Sequence, residues 1–491
     1  MMSPQSLFFG RFSKIQLYSR YHTLLVGFYR ALRHPWGVNC DVTRIPAAVA
    51  VGDRAVGCCG AQRIRRRPGH YPGRRRAFAR IGAGIVAPLS EFSTYNASTT
   101  ATQFGFYWAS SSGVGQTAFV TDDLTCDINF YNNGGACSGT PGGADTVHYT
   151  VSESTLSTGN YAIWTTGSYG QVAAGNLIQL PSIGTGLAFP VVETNVTANG
   201  QLELSDNDLC EIFSGGYTDF SQITDSGTFK PAAGTINVVY RSDSGGTTGI
   251  LTEHLTKVCT EGTNSNIAFK VTTTFASLFP SGVPANFTGE KGNGGIINYL
   301  ENLDGGPTVT QALSYVSQDW TSIAKAPDNQ TANGAAPNAL VAAVFNGTTA
   351  YLPTTTNIET ALKHVLATAN GVTTPPSTAA EGANPFNWVP VIETVSAGYP
   401  VVGYGTLEVA ECYANSTIEA GVIAYLTDHY KSATYKKIQK NNGFVSVANT
   451  GAAKFVTTIY NHILANTGNK KNPAWNINIG NATACAGLPG R

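Results

Sequence analysis

Arginine is distributed very unevenly along this chain, and the break in its distribution divides the chain into two unlike parts. Fourteen of the 16 arginines precede residue 81, and only Arg241 and the terminal Arg491 follow it. Residues 1–80 carry 15 basic and two acidic side chains, whereas residues 81–491 carry 15 basic and 28 acidic ones. A break this sharp is typical of a processing site or a domain boundary, so we expect the folded body to begin near Ile81.

The basic leader, residues 1–80, has no clear targeting or membrane pattern. Its apolar stretches, at residues 24–28 and 45–51, are short and interrupted, and neither reaches the ~18–20 residues that a spanning helix needs. We predict that the leader is processed, disordered or wrongly assigned to the protein. A basic arm that binds nucleic acid is the functional alternative, although we expect no nucleic-acid partner.

The body has the composition of a globular protein with two or three domains. Apolar residues make up 42% of the chain, enough for buried cores, while only 12% are charged, about half the usual share. Apolar runs alternate with helical patterns at 248–258, 418–430 and 452–464. This alternation predicts α/β lobes with mostly parallel sheets. The runs expected as strands are Tyr161–Trp164, Ile236–Tyr240, Leu340–Phe345 and Pro400–Tyr404.

The body contains an even number of cysteines, and these favour disulfide bonds. None forms a C-x-x-C motif and no cysteine–histidine spacing suits zinc, so we expect no metal site. A Gly-, Asn- and Thr-rich body with few lysines favours an oxidising compartment. Spacing alone does not assign the pairs, although Cys126 and Cys137 flank a short polar loop that they would close locally. The cysteines are Cys126, Cys137, Cys210, Cys259, Cys412 and Cys485.

The most informative segment runs from Val238 to Ile250, with the sequence VVYRSDSGGTTGI. We predict that a buried strand ends at Arg241, that a Gly-rich turn follows, and that a helix begins near Thr247. This order aims free backbone N–H groups and the positive helix end at one point, which is typical of an anion site. Arg241 adds a fork of donors suited to an oxyanion, and Asp243 is placed to orient that fork.

A purely structural interpretation of this segment has to be weighed against the anion site. Turns between a strand and a helix often contain two glycines, and a single arginine often forms a structural ion pair. Arg241 is, however, the one arginine inside the body, and it lies within the motif. That coincidence favours anion binding.

The segment from Arg241 to Thr248 resembles the anion-binding motif of bacterial phosphate-binding proteins, and it is most similar to that of their DING-type relatives. Further segments resemble the family in the same order, and together they cover most of residues 81–491. Several separated matches are more specific than one motif. The matching segments are Leu209–Gly215, Phe220–Ile223, Val271–Ala276, Ser314–Ser317, Trp388–Val391, Gly398–Pro400 and Glu411–Asn415.

The resemblance implies a two-lobed α/β fold of the periplasmic-binding-protein type (type II), with two hinge strands and a ligand cleft between the lobes. The hinge crossings fall near residues 183–192 and 384–392. One lobe would combine residues 81–187 with residues 390–491, and the other would comprise residues 188–389. The disulfides to be expected are the family-like Cys210–Cys259 and Cys412–Cys485, beside the local Cys126–Cys137.

The resemblance also implies a phosphate site with residues from both lobes. The family's Ser-Gly loop falls on Ser112, and its acceptor carboxylate falls on Glu153. Without the resemblance, these residues would be interpreted as a flexible turn and a solvated surface residue. Asp243 would support Arg241 from behind. The implied phosphate ligands are Ala87, Ser112, Glu153, Arg241, Gly245, Gly246 and Thr247.

Three positions depart from the family pattern. The family has Asp where this chain has Glu153, Ser where it has Gly245, and Thr where it has Val86. Losing up to two hydrogen bonds of about 1–2 kcal/mol each would weaken binding by roughly 10- to 1000-fold, unless water or backbone replaces them. Phosphate is still the expected ligand, with a changed oxyanion preference left open.

We therefore expect a secreted or periplasmic protein that binds hydrogen phosphate without a cofactor, a metal or a catalytic residue. A phosphatase or phosphodiesterase on the same fold is the alternative, although scattered histidines and a missing G-x-S-x-G elbow give it little support. An adhesion or scavenging protein is a third alternative. The expected partner is phosphate, with a phosphate ABC permease as a further candidate, and the expected state is a monomer.

Overall fold

The computed structural model describes most of the body and almost none of the leader. All described residues belong to one compact unit. Residues 1–79 and the candidate positions Val86 and Ala87 lie outside the described residues, so what the sequence predicts for them stays a prediction. The described residues are 80–82, 106–107, 110–131, 137, 146–193, 201–224, 230–304, 310–321, 339–364, 374–390, 392, 395–467 and 473–491.

The strands of the described residues join in one mixed network, in the order β2-β1-β3-β12-β4-β8-β6-β7, with the remaining strands attached at its sides. They are β1 (Arg80–Gly82), β2 (Phe106–Tyr107), β3 (Val147–Ser152), β4 (Leu177–Val192), β5 (Glu203–Leu204), β6 (Asn237–Arg241), β7 (Phe287–Glu290), β8 (Ala312–Ser314), β9 (Val316–Ser317), β10 (Ala339–Phe345), β11 (Ala350–Tyr351), β12 (Val402–Ala410) and β13 (Val445–Ser446).

Helices cover the sheets, and none in the described part of the chain is both long enough and apolar enough to cross a membrane. The α-helices are α1 (Ser112–Thr121), α2 (Thr125–Tyr131), α3 (Thr158–Thr166), α4 (Gln171–Ala174), α5 (Asp206–Ser214), α6 (Gly246–Val258), α7 (Gly292–Asp304), α8 (Thr355–His364), α9 (Ala379–Gly382), α10 (Ser416–Lys431), α11 (Ala433–Asn441) and α12 (Ala453–Ile459). Short 3-10 helices are Phe220–Gln222, Phe275–Leu278, Gln318–Trp320, Pro385–Trp388 and Val447–Asn449, and a π-helical turn is Tyr460–Leu464.

The long strand β4 links two groups of strands. From Leu177 to Gly186 it pairs with β12, which continues through β3 to β1 and β2. From Leu187 to Val192 it pairs with β8, β9 and β10, and β8 leads on to β6 and β7. Each group forms the sheet of one lobe, which gives the two-lobed α/β fold expected from the sequence.

The sheets are less parallel than the sequence predicts. Parallel pairs join β1 to β2 and β3, and β6 to β7 and β8. Antiparallel pairs arise where β4 or β12 takes part, and also between β10 and β11. The sequence does not reveal this difference, because both strands are buried along their whole length and lack the alternating pattern of a half-exposed antiparallel strand.

One run expected as a strand is helical. Tyr161–Trp164 lies in α3, whose N-terminus is capped by the Ser157 hydroxyl, which accepts a hydrogen bond from the Asn160 N–H. Trp164 is fully buried, whereas Ile163 is 40% exposed. The prediction was wrong because four apolar residues are too few to separate a helical period from a strand.

The segment expected as the second hinge crossing, residues 384–392, contains the 3-10 helix Pro385–Trp388. The first expected crossing, residues 183–192, lies within β4. The lobe boundaries at residues 187/188 and 389/390 stay a prediction.

The disulfide bonds of the described residues tie together elements within the body. They are the pairs that were expected from the sequence, and their presence indicates an oxidising compartment. The bonds are Cys126–Cys137, Cys210–Cys259 and Cys412–Cys485.

Candidate anion-binding site

The site begins where β6 ends and α6 starts. Arg241 is the last residue of β6, and Gly245 is the N-cap of α6. The first N–H groups of a helix have no partner within it, so the amides of Gly246 and Thr247 are available to an anion at the positive helix end. The Gly245 amide is not available, because it donates to the Thr273 carbonyl at 2.9 Å. Gly245 was expected to be a ligand, and its amide is committed elsewhere.

The guanidinium of Arg241 is buried, with 4% of the residue exposed. Its Nε and Nη2 donate to the two carboxylate oxygens of Asp243, at 2.8 and 2.5 Å. Its Nη1 donates to the Thr247 hydroxyl at 2.8 Å and to Asn293 Oδ1 at 3.0 Å. These bonds fix the plane of the guanidinium, and they leave one N–H of Nη2 for a ligand.

Asp243 is the residue that makes this buried charge tolerable. Burial acts against ionisation of both partners, but their mutual hydrogen bonds and charges outweigh it. The pKa of Arg241 is therefore raised and that of Asp243 lowered, so both are charged near neutral pH. Asp243 Oδ1 also accepts a hydrogen bond from the Gly292 N–H, at the start of α7, at 2.8 Å. The predicted role of Asp243 behind Arg241 fits this geometry.

The second group of site residues comes from α1 and from the acceptor loop, which we define as Ser152–Ser154. Ser112 is the first residue of α1 and is buried. Its hydroxyl oxygen accepts a hydrogen bond from the Glu153 N–H at 3.1 Å, which leaves the hydroxyl hydrogen free to donate. The Gly113 N–H donates to the Ser244 carbonyl at 3.2 Å, so the Ser112 loop touches the loop that precedes α6.

Glu153 is buried, with 5% of the residue exposed, although the sequence alone suggested a surface position. Its Oε1 has no hydrogen-bond partner among the described residues. Burial raises the pKa of Glu153, while the Ser317 hydroxyl and the positive charge of Arg241 act in the opposite direction. A buried, unpaired carboxylate oxygen is costly, and such a group needs an explanation. A ligand that donates a hydrogen bond would supply one.

Glycine at position 246 allows these two groups of residues to meet. A Cβ atom there would lie 2.5 Å from Ser112 Oγ and 2.6 Å from Glu153 Cβ. Both distances are far below a normal contact, so a side chain would force the loops apart. At Gly245, where the family has serine, a Cβ would lie 2.7 Å from Arg241 Cζ. The guanidinium thus fills the space that a side chain would need.

Two site residues were missed by sequence reasoning. Asn293 accepts a hydrogen bond from Arg241 across 52 residues, and the Tyr315 hydroxyl accepts one from the Arg241 N–H at 3.2 Å. Tyr315 also pairs with the Thr248 hydroxyl at 2.8 Å, and its burial raises its pKa. The signal for Asn293 was present, because the sequence GNGG at 292–295 starts a second Gly-rich helix beside the first.

The comparisons with known proteins agree with this fold. A family model described as "PBP superfamily domain" matches residues 107–469. Alkaline phosphatase L of Pseudomonas aeruginosa (strain PAO1) is 30% identical over 411 residues, which cover 84% of this chain and 93% of that protein. A phosphate-binding protein from an unknown prokaryotic organism is 30% identical over 380 residues, covering 74% of this chain and 90% of that protein.

Among solved structures, a high-affinity periplasmic phosphate-binding protein, PfluDING, bound with phosphate, is 28% identical with a TM-score of 0.63. The match covers 84% of this chain and 99% of that one. This chain therefore belongs to the PBP superfamily. Within it, the resemblance to DING-type proteins is confirmed.

Replacing Gly246 by Ala should abolish oxyanion binding, because the new methyl group would collide with Ser112 and Glu153. Gly249→Ala is the matched control, one turn further along α6. A Cβ at Gly249 meets its nearest atom at 3.4 Å, an ordinary contact. By calorimetry, we expect Gly246→Ala to lower the affinity for phosphate more than about 100-fold, because the steric clash would force the loops apart. We expect Gly249→Ala to change the affinity less than about threefold, because its methyl group would make an ordinary contact. Equal effects would contradict the proposed geometry.

Proposed function

We propose that this protein binds hydrogen phosphate in the cleft between its lobes. The observation that carries the proposal is a buried, charged Arg241 together with a buried Oε1 of Glu153, which has no hydrogen-bond partner among the described residues. A matching ligand must offer negative oxygens to the guanidinium and a hydrogen to the carboxylate. Hydrogen phosphate offers both near neutral pH. The PfluDING relative, described as bound with phosphate, supports this assignment.

The proposed ligand set consists of short, directional donors. Ser112 would donate its hydroxyl hydrogen, and Gly246 and Thr247 would donate their amides. The Thr247 hydroxyl accepts from Arg241, so its own hydrogen is also free for a phosphate oxygen. Arg241 would contribute its remaining N–H and its charge. Ala87 stays a prediction from the resemblance, since it lies outside the described residues.

Selectivity would follow from Glu153. Phosphate keeps a proton near neutral pH whereas sulfate has none, so sulfate would place an unprotonated oxygen against the carboxylate. A site that leaves a buried polar group unpaired can reject the wrong ligand by several orders of magnitude. The acidic body fits this view, because capture would then depend on local hydrogen bonds and not on long-range attraction.

We propose that the protein works outside the cytoplasm, in the periplasm or as a secreted protein. The disulfides require an oxidising compartment, and PfluDING is described as periplasmic. Delivery of phosphate to an ABC permease, by a monomeric protein, is the transport role that this assignment suggests.

We further propose that the protein is a binder and not an enzyme. If the site were catalytic, the hydroxyls of Ser112 and Thr247 would be its candidate nucleophiles, but neither is activated: Ser112 Oγ accepts a hydrogen bond from a backbone N–H, and Thr247 Oγ1 accepts one from a guanidinium. A nucleophile needs an adjacent base that removes its proton. No described carboxylate or histidine hydrogen-bonds to either hydroxyl.

Phosphoester hydrolysis remains the second candidate for a specific reason. Three relatives are named alkaline phosphatase L, and a cavity of about 400 Å³ beside Glu153 could hold the alcohol part of an ester.

The purified chain should release no p-nitrophenol from p-nitrophenyl phosphate beyond the rate of a Ser112→Ala variant. Turnover that disappears in this variant would establish an enzyme.

Removing the guanidinium should abolish binding. Arg241→Ala deletes the buried charge and should weaken phosphate binding by roughly 100-fold or more, as expected for a desolvated, hydrogen-bonded charge. Because Asp243 would be left as an unpaired buried carboxylate, the double variant Arg241→Ala/Asp243→Asn is measured alongside. Arg491→Ala is the matched control, since Arg491 is also buried and ion-paired, with Asp122, outside the site. Unchanged affinity in both Arg241 variants would refute the site.

Neutralising the acceptor should remove discrimination. Glu153→Gln replaces an acceptor-only oxygen by an amide that can donate to any oxyanion, so sulfate binding should rise at least ~10-fold relative to phosphate, the order of one charged hydrogen bond. Acid should act in the same direction in the wild type. The pKa of Glu153 is raised, so the carboxylate is present above that pKa and is lost as the pH falls through it. Competition calorimetry at several pH values measures both effects, and a constant preference would contradict this role.

A further inference from the structure

A fully buried polar cluster lies directly behind the acceptor loop. Glu408 of β12 is 0% exposed, and its neighbours on the adjoining strands are Thr150 of β3 and Gln179 of β4. Thr406 lies two residues earlier on the same face of β12 and is also fully buried. Gln116 reaches the cluster from α1, one turn after Ser112. The cluster therefore contacts α1, which carries Ser112, and the acceptor loop, which carries Glu153.

The contacts of the cluster converge on one backbone carbonyl, that of Ser154. Gln116 Nε2 donates to this carbonyl at 3.0 Å and to Glu408 Oε1 at 3.2 Å. The Thr406 hydroxyl lies 2.9 Å from the same carbonyl and 2.6 Å from Glu408 Oε1. The Ser152 hydroxyl donates to it at 2.8 Å. Ser154 follows Glu153 directly, so whatever fixes this carbonyl also fixes the backbone from which Glu153 projects.

The two contacts of the Thr406 hydroxyl are both hydrogen bonds at once only if Glu408 is protonated. The Thr406 hydroxyl has one hydrogen, and the Ser154 carbonyl can only accept, so Thr406 must donate to Ser154 to make that bond. Its 2.6 Å contact with Glu408 is then a hydrogen bond only if the Glu408 carboxyl donates. An ionised Glu408 would instead take the Thr406 hydrogen and leave the Ser154 carbonyl with one donor fewer.

We infer that Glu408 is a positioning residue, which stays protonated and holds the acceptor loop in place through Thr406 and Gln116. It touches no ligand and acts through the position of Glu153. Burial independently raises the pKa of Glu408 to about 8, with the Thr406 and Gln116 hydrogen bonds acting against burial. The inference rests on the proposed function, because it concerns the affinity and selectivity of the same site.

The surroundings of Glu408 supply no charge that would hold a carboxylate there. Its contacts with α1 and β12 are uncharged, as are its neighbours on β3 and β4. The ionisable residues on or next to the same elements are His148 and Tyr149 of β3, Tyr404 of β12, Glu153 in the acceptor loop, and Glu411 beyond the end of β12. His148 lies on the same face of β3 as Thr150 and is stacked on Tyr413. The affinity for phosphate should depend on pH through both Glu153 and Glu408. A Glu408 variant separates the two effects, because it removes the titration of Glu408 and keeps that of Glu153.

The test compares the wild type with Glu408→Gln and Glu408→Leu, by phosphate titration at pH 6.5, 7.5 and 9.5. In Glu408→Gln the amide nitrogen can take the place of Oε1 and donate to Thr406 at every pH. It cannot accept from Gln116, which keeps its hydrogen bond to the Ser154 carbonyl, so the variant should stay within about threefold of wild-type affinity at pH 6.5. At pH 9.5 the wild type should bind roughly fivefold to tenfold more weakly than Glu408→Gln, because Glu408 ionises and one hydrogen bond to the loop is lost. Glu408→Leu should bind about 10-fold more weakly at all three pH values.

The matched control is Glu411→Gln, which neutralises a carboxylate just beyond the end of β12 that accepts hydrogen bonds from Asn176, away from the site. It should follow the wild-type profile. Circular dichroism at each pH verifies that every variant is folded. Identical pH profiles of the wild type and Glu408→Gln, or full affinity in Glu408→Leu, would overturn the inference.

A readout without phosphate distinguishes failure of the inference from failure of the proposed function. The infrared difference spectrum between the wild type and Glu408→Gln at pH 6.5 should contain the carbonyl band of a protonated carboxylic acid, and this band should be lost at pH 9.5. If the chain binds no phosphate but the band is present, the proposed function fails and the protonated Glu408 stands. If the band is absent, the inference fails whatever the chain binds.

Discussion

The buried ion pair of Arg241 and Asp243 is the interaction on which the rest of the site depends. A guanidinium cannot lose its proton near neutral pH, so its burial requires compensation by a partner charge and by hydrogen-bond acceptors. Asp243 provides the charge, and Thr247 and Asn293 provide further acceptors. These bonds use most of the N–H donors of the guanidinium and leave one N–H of Nη2 for a ligand.

The second constraint is the close approach of α6 to α1 and the acceptor loop. The start of α6 has to come within contact distance of Ser112 and Glu153, and this is possible because Gly246 has no side chain. The same approach buries Glu153, and its Oε1 has no hydrogen-bond partner in the part of the chain that the structure describes. Burial raises the pKa of Glu153, so the site combines a fixed positive group with an acceptor whose charge depends on its surroundings. We propose that selectivity for a protonated oxyanion follows from this combination.

Much of the site could be predicted from the sequence, because it depends on local order. The strand, the glycines and the helix start around Arg241 are contiguous, and the structure places them as the spacing predicts. The burial of Glu153 could not be derived from its own segment, since it results from packing against α1 and α6. Asn293 and Tyr315 were missed for the same reason, because each meets Arg241 through contacts far along the chain.

The fold, like the site, could be predicted from the sequence only in part. Helix α6 follows the predicted pattern closely, whereas the four-residue run at Tyr161–Trp164 is helical and was mistaken for a strand.

Selective binding of phosphate is tested most directly by calorimetric titration of the purified chain with phosphate and, separately, with sulfate at pH 7.5. We expect micromolar or tighter binding of phosphate, with sulfate bound at least ~100-fold more weakly, because sulfate cannot donate a hydrogen bond to the buried carboxylate. Equal binding of the two anions, or no binding of either, would contradict this expectation.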